Sequence, residues 1–460
     1  MPSARLDHLS GARCIASFWI ACRHFLPSAP EWDTVSRILL RSGVAVEFFI
    51  TMSGFVTHWA YAEKAHVGTR GGALQLYVRR FGRVAFTAWA TTFYMIGVNR
   101  AAGIVSTSPL AFHASCLCFV QPWLLPVLSS DALFCPNGVV WTVACLLPSW
   151  LLYPFVHHRH LTAISFTRLL PLLLLALWGA LMVLIVTIWT AQGFYLSPSE
   201  ATLIYMWPPA CLPAFAIGAT AAEAARRHVR RRLPSRPDSH GTDESRPLTA
   251  DAQSTTREAT TTNHPLPVRG TSRYTRGALA DVAIIGPILI VCWLPAFHED
   301  ASGHVAPPDV NSRDGYEPLL LHAFAPCFAA FLYATSTADT ASGERPGVIE
   351  RLLRHPALVA LGDFSFVVFL FQAPVFRTFE IVYGARRFLT LTHIEPKLGV
   401  LALVVLYLSA GLYANFVEGR VVAWLRRVSD GWVSTADEEH ARTSGGTSRS
   451  ESYGTAMAVS

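Results

Sequence analysis

Apolar residues in this chain fall in long unbroken blocks, not in the alternation of a half-buried strand. Blocks of about 20 residues match the hydrocarbon thickness of a bilayer. The pattern predicts ten spans: Gly11–Leu26, Ile38–Trp59, Phe81–Val98, Val139–Val156, Leu169–Ala191, Leu203–Ala224, Leu279–Phe297, Leu319–Ala338, Leu358–Tyr383 and Leu398–Val417. Continuous blocks of that length read as helices, because a lipid-facing helix satisfies its own backbone hydrogen bonds. The expected fold is therefore an all-α polytopic membrane protein.

An eleventh, weaker block runs from Leu110 to Leu128. Cation placement decides how to read it, since cytoplasmic loops collect Lys and Arg. Lys64, Arg70, Arg79, Arg80 and Arg83 mark the loop after the second span as cytoplasmic, and Arg159 and Arg168 mark a later one. Those two loops face the same side only if Leu110–Leu128 does not cross. It is expected to be a re-entrant or interfacial piece, and both termini are expected in the cytoplasm. Arg386, Arg387 and Lys397 fall on the opposite side and are the one exception.

Composition agrees with the pattern. Hydrophobic residues make up 52% and charged residues 15%, against about 25% charged in a soluble domain. The net charge of +6 comes mostly from loop arginines, so it reads as topology and not as affinity for nucleic acid. No pair of the nine cysteines has CxxC spacing, and no metal is called for. Cys116, Cys118 and Cys135 share one region, which leaves a local disulfide open. Arg226–Arg276 is rich in Arg, Pro, Ser and Thr and lacks apolar periodicity, so a disordered basic insert is expected there. Ser434–Ser460 reads as a disordered polar tail.

Ionisable groups inside apolar blocks are costly and mark functional positions, and Arg13, His24 and Glu47 are the candidates here. Arg13 and His24 lie eleven residues apart on the first helix, which puts them on one face about 16 Å apart. Glu47 lies in the second span and calls for a partner; His24 or Arg13 is the natural candidate. Arg23, beside His24, points to another face and reads as a boundary anchor.

Several short stretches resemble, in shared order over roughly residues 5–425, the membrane-bound acyltransferase family 3. Leu6-Asp7-His8-Leu9-Ser10-Gly11-Ala12-Arg13 followed by His24 is similar to the family's opening. Val46-Glu47-Phe48-Phe49 leading to Ser53-Gly54-Phe55, the Arg79-Arg80-Phe81-Gly82-Arg83 cluster, Gly138-Val139-Val140-Trp141-Thr142, Leu361-Gly362-Asp363-Phe364-Ser365-Phe366 and Val417-Glu418-Gly419-Arg420 resemble its later signatures. Two departures stand out. The family often carries Glu where this chain has Cys145-Leu146-Leu147-Pro148, and often His where it has Gln372.

The resemblance implies transfer of an acyl group, often acetyl, from a coenzyme A thioester to a hydroxyl on a carbohydrate or lipid. In that chemistry His24 is the expected base, because imidazole titrates near neutrality, and Glu47 is expected to orient it. Arg79, Arg80 and Arg83, with Arg13 near the same surface, are expected to hold the phosphates of acyl-CoA. The other reading left open is a transporter of an acyl group or small polar solute that lacks transferase activity, since intramembrane Arg, His and Glu serve transport too.

Overall fold

A chain that crosses lipid must pair its own backbone groups, and this one does so almost entirely with helices. The computed structural model describes residues 6–26, 33–64, 67, 69–103, 110–124, 135–163, 169–191, 204–232, 275–293, 298–299, 305–306, 322–338, 346–383 and 395–431. In order, the helices are α1 (Asp7–Phe25), α2 (Asp33–Leu40), α3 (Gly43–Tyr61), α4 (Arg70–Leu76), α5 (Arg83–Ala101), α6 (Leu110–Leu117), α7 (Trp141–Leu152), α8 (His158–Ala163), α9 (Leu169–Ala191), α10 (Pro208–Arg232), α11 (Thr275–Trp293), α12 (Ala325–Ala338), α13 (Val348–Leu353), α14 (Pro356–Gly362), α15 (Ser365–Tyr383) and α16 (Pro396–Tyr413). Among the described residues the one strand pairing is His298–Glu299 with Val305–Ala306, antiparallel.

Among the described residues six stretches are both long and apolar enough to cross a bilayer: Thr34–Tyr61, Gly138–Val156, Leu174–Ala191, Arg276–Trp293, Ser365–Tyr383 and Pro396–Gly431. Helices α1, α5 and α10 have 19, 19 and 25 residues, also enough at about 1.5 Å per residue. Their polar content sets α1 and α10 apart: α1 carries Arg13, Arg23 and His24, and α10 ends in a cluster of arginines. Helix α12 has 14 residues. The protein is an integral multi-pass membrane protein.

The weak block becomes α6, whose eight residues span about 12 Å and cannot cross. Past its end, Phe119 packs on Phe81 at 5.5 Å and on Trp89 at 6.1 Å, and Trp89 Nε1 donates to the Leu117 carbonyl at 2.8 Å. The piece that follows α5 thus folds back beside the first turns of α5. Of the three neighbouring cysteines, Cys116 and Cys135 form a disulfide. Closing a loop of that size restrains the unfolded chain by about 3 kcal/mol in the chain-entropy model.

Close backbone contact organises the core. A Cβ on Gly54 would stand 2.0 Å from the Phe215 carbonyl oxygen, and one on Gly218 would stand 1.9 Å from that of Thr51. Helices α3 and α10 therefore touch backbone to backbone, with Ala214, Gly218 and Ala222 forming a small-residue stripe at i, i+4 and i+8. Phe48, Phe55, Phe215, Phe328 and Phe331 fill the space around that crossing. A second cluster joins the far half of α1 to α15 and α16 through Ala21, Phe25, Val367, Phe379, Ala402 and Leu406.

The expected insert starts later than its composition suggests. Helix α10 continues to Arg232 because its arginines find partners: Arg227 donates to Glu223 at 2.6 Å, and Arg226 and Arg230 meet Glu63 at 2.6 and 2.8 Å. Residues 233–274, the tail from Ser434 and the exceptional cations Arg386 and Arg387 lie outside the described residues.

Candidate active site

Of the cavities that border α1, two lie one toward each of its ends. The first, about 310 Å³, is lined by Arg13 together with Arg79, Arg80 and Arg83. Arg79 and Arg80 sit in a widened π-helical turn, Tyr77–Gly82, that runs into α5. Such turns are rare and cluster at functional sites. A second π turn after α16, Ala414–Glu418, delivers Glu418 to Arg83, whose Nε donates to it at 2.5 Å. Arg79 pairs with Asp430 and donates from Nε to Ser429 Oγ at 2.8 Å. Arg13 donates to Ser10 Oγ at 3.2 Å and stands 3.9 Å from Asp363. That last neighbour is brought in by a close approach: a Cβ on Gly362 would lie 1.8 Å from the Ser10 carbonyl oxygen.

Arg80 differs from the other three. Its Nη2 donates to the Ser53 carbonyl at 3.2 Å and to Ser53 Oγ at 3.3 Å, and its guanidinium lies 5.7 Å from the Trp150 ring centre. Among the described residues no carboxylate pairs with it, and its Nε is buried without a partner. Leu146, in the stretch where the related pattern carries Glu, lines this cavity.

The second cavity, about 600 Å³, holds His24. Ile20, Arg23 and His24 form one stripe of α1 at i, i+3 and i+4, facing it. Phe369, Gln372, Ala373, Phe376 and Arg377 form the matching stripe of α15. Trp141 and Tyr205, with ring centres 4.7 Å apart, make a third wall. Arg377 donates from Nε to Asn99 at 2.7 Å and pairs with Glu380. Arg23 is not the boundary anchor expected from its place beside His24. It is buried and lines the same cavity, because a cavity this wide takes in both residues of an i+3, i+4 pair.

Val46 and Phe369 line both cavities and form the partition between them. From Arg13 to His24 is about 16 Å along α1, so the helix connects the two spaces. Among the described residues no side chain hydrogen-bonds the His24 ring, which borders the cavity.

Glu47 does not meet His24. Its oxygens accept from the backbone N–H groups of Phe324 at 3.0 Å and Ala325 at 2.9 Å, at the start of α12. A helix start presents unpaired N–H donors and a partial positive charge, and a carboxylate from another helix answers both. Glu47 is therefore a cap supplied across the core, and the role of orienting His24 is corrected. Glu47→Gln is expected to lower thermal stability by about 1–2 kcal/mol, because its amide presents a donor to one of two donors. It should leave the turnover per folded molecule near that of the parent; thermal melting and activity, measured side by side, check this.

Glu418 pairs with a cavity arginine, and Asp363 stands beside another. Behind the first cavity, His58 is fully buried between Tyr153 Oη, 3.0 Å from Nδ1, and Glu223 Oε2, 2.9 Å from Nε2. A third π turn, Tyr153–His157, carries that tyrosine. His58 and Glu223 are ionisable residues in apolar helices, a signal present in the sequence but not taken up. Among the described residues no group of three or more His, Cys, Asp or Glu could hold a metal ion.

Residues 6–417 match a family model described as an acyltransferase domain. No curated protein and no solved structure matches the chain.

Proposed function

Because the chain belongs to the membrane-bound acyltransferase family whose model spans residues 6–417, we propose that it moves an acyl group, acetyl by preference, from acyl-CoA to a hydroxyl on a carbohydrate or lipid. The donor enters the arginine-lined cavity from the cytoplasm, with its phosphates on Arg80 and the neighbouring Arg13, Arg79 and Arg83. Its thioester arm reaches past Val46 and Phe369 toward the second cavity. There the acceptor hydroxyl gives its proton to a ring nitrogen of His24. The oxygen attacks the thioester carbonyl, the carbon–sulfur bond breaks, and the departing thiolate takes the proton back from the imidazolium. The product ester and CoA leave by opposite mouths.

One observation carries this reading: a cavity with four arginines and a cavity bordered by His24 share the partition of Val46 and Phe369. A polyanionic donor suits the first space, and general-base chemistry suits the second. The test uses full-length protein in liposomes, supplied with labelled acetyl-CoA and a membrane extract as the source of acceptor. Label is expected in a glycan or lipid fraction together with release of free CoA in equal amount. If acetyl-CoA stays intact and no fraction gains label, the reading is wrong.

A further inference from the structure

Gln372 presents an unusual pair of unpaired groups. The residue is 1% exposed, and among the described residues neither its amide oxygen nor its amide nitrogen has a hydrogen-bond partner. It lines the His24 cavity from α15. Buried polar groups are paired in the great majority of cases, and an exception calls for a specific cause. Leaving both ends of a primary amide dry weakens the fold, so an apolar side chain of the same size would be the more stable choice there.

The position of the amide points to that cause. Phe376, one turn further along α15, packs on Phe25 with ring centres 6.0 Å apart, and Phe25 adjoins His24. Gln372 and His24 therefore occupy facing stripes of the same space. A primary amide offers one acceptor and two donors side by side. Its natural complement is a group that donates and accepts over the same short span, such as two hydroxyls on adjacent carbons. We propose that Gln372 is a specificity-determining residue that spans a vicinal diol: its amide N–H donates to the oxygen of the first hydroxyl, whose proton goes to His24, and its amide oxygen accepts from the second hydroxyl. The acceptor would then be a polyhydroxylated ring and not a lone alcohol. The inference rests on the acyl-transfer reading for its reaction but not for its binding.

The test compares the full-length protein with Gln372→Leu, of similar volume and without polar atoms. The probes are methyl glycosides of glucose, galactose and mannose, each beside its monodeoxy counterparts. Binding is read by thermal stabilisation in detergent, and acyl transfer by labelled acetyl-CoA. The parent protein is expected to bind at least one glycoside roughly tenfold or more tightly than a counterpart that lacks one of two adjacent hydroxyls. Gln372→Leu should bring that ratio close to one. Without any sugar, Gln372→Leu should melt at a temperature equal to or higher than the parent, since it relieves two unpaired buried groups. A purely structural glutamine would give a lower melting temperature, and that outcome overturns the proposal. It is equally overturned if no glycoside stabilises the parent, or if the parent and the variant discriminate alike. Discrimination that depends on Gln372 without any transfer of label would sink the acyl-transfer reading and leave this one standing.

Discussion

His24→Ala is expected to lower acyl transfer by about 10²–10⁴-fold, the range over which a positioned base accelerates such a step. The effect should fall on kcat, while the KM for acyl-CoA stays near the parent value, because the donor's phosphates are assigned to the other cavity. His24→Gln should behave in the same way, which separates loss of the base from loss of bulk. A proton-accepting histidine is usually held in one tautomer by a third group. Here Glu47 is committed to Phe324 and Ala325, and no side chain among the described residues engages the His24 ring. In the proposed mechanism, then, neither Glu47 nor any other described side chain fixes the tautomer of the ring. Glu47→Gln and His24→Ala should consequently differ in kind: the first changes stability, the second turnover. Transfer at the full parental rate in purified His24→Ala protein would remove His24 from the mechanism.

Much of this site was legible because charge in an apolar helix is expensive. That cost singled out Arg13 and His24, and the helical period gave their separation of about three turns along one face. Cation placement also led to a re-entrant reading of Leu110–Leu128, in accord with the eight-residue α6. What periodicity does not give is the neighbour. Glu47 was matched to the cations of the first helix, yet its partner is the start of α12, where the sequence offers no Ser, Thr, Asp or Asn to cap the backbone. That missing cap was a signal, and it points to a carboxylate arriving from elsewhere. Arg23 was assigned by its angle to His24, which takes no account of the width of the space both residues border. Asp363 and Glu418 lie hundreds of residues from the arginines they approach, and only the folded contacts join them. The C-terminal end of α10 differs for the same reason, since composition reads Arg226–Arg232 as linker while Glu63 and Glu223 hold those residues in a helix.

Arg80 should dominate recognition of the donor. Arg13 has Asp363 nearby, Arg79 has Asp430 and Arg83 has Glu418. Each of those cations is partly compensated before any ligand arrives. Among the described residues Arg80 meets the neutral oxygens of Ser53 and the face of Trp150 and pairs with no carboxylate, so its charge is the least compensated of the four toward an incoming anion. Two charge-assisted bonds from a guanidinium to a phosphate contribute about 1.5–3 kcal/mol each. Arg80→Gln is therefore expected to raise the KM for acetyl-CoA by about two orders of magnitude or more. Arg80→Lys should recover only part of it, because a point charge does not reproduce the two-pronged geometry. The decisive comparison uses acetyl-pantetheine, a donor without the nucleotide and its phosphates. The parent protein should prefer acetyl-CoA strongly, whereas Arg80→Gln should use the two donors at similar kcat/KM. A variant that loses both donors equally would instead point to a packing role through Ser53 and Trp150, and the phosphate assignment would fall.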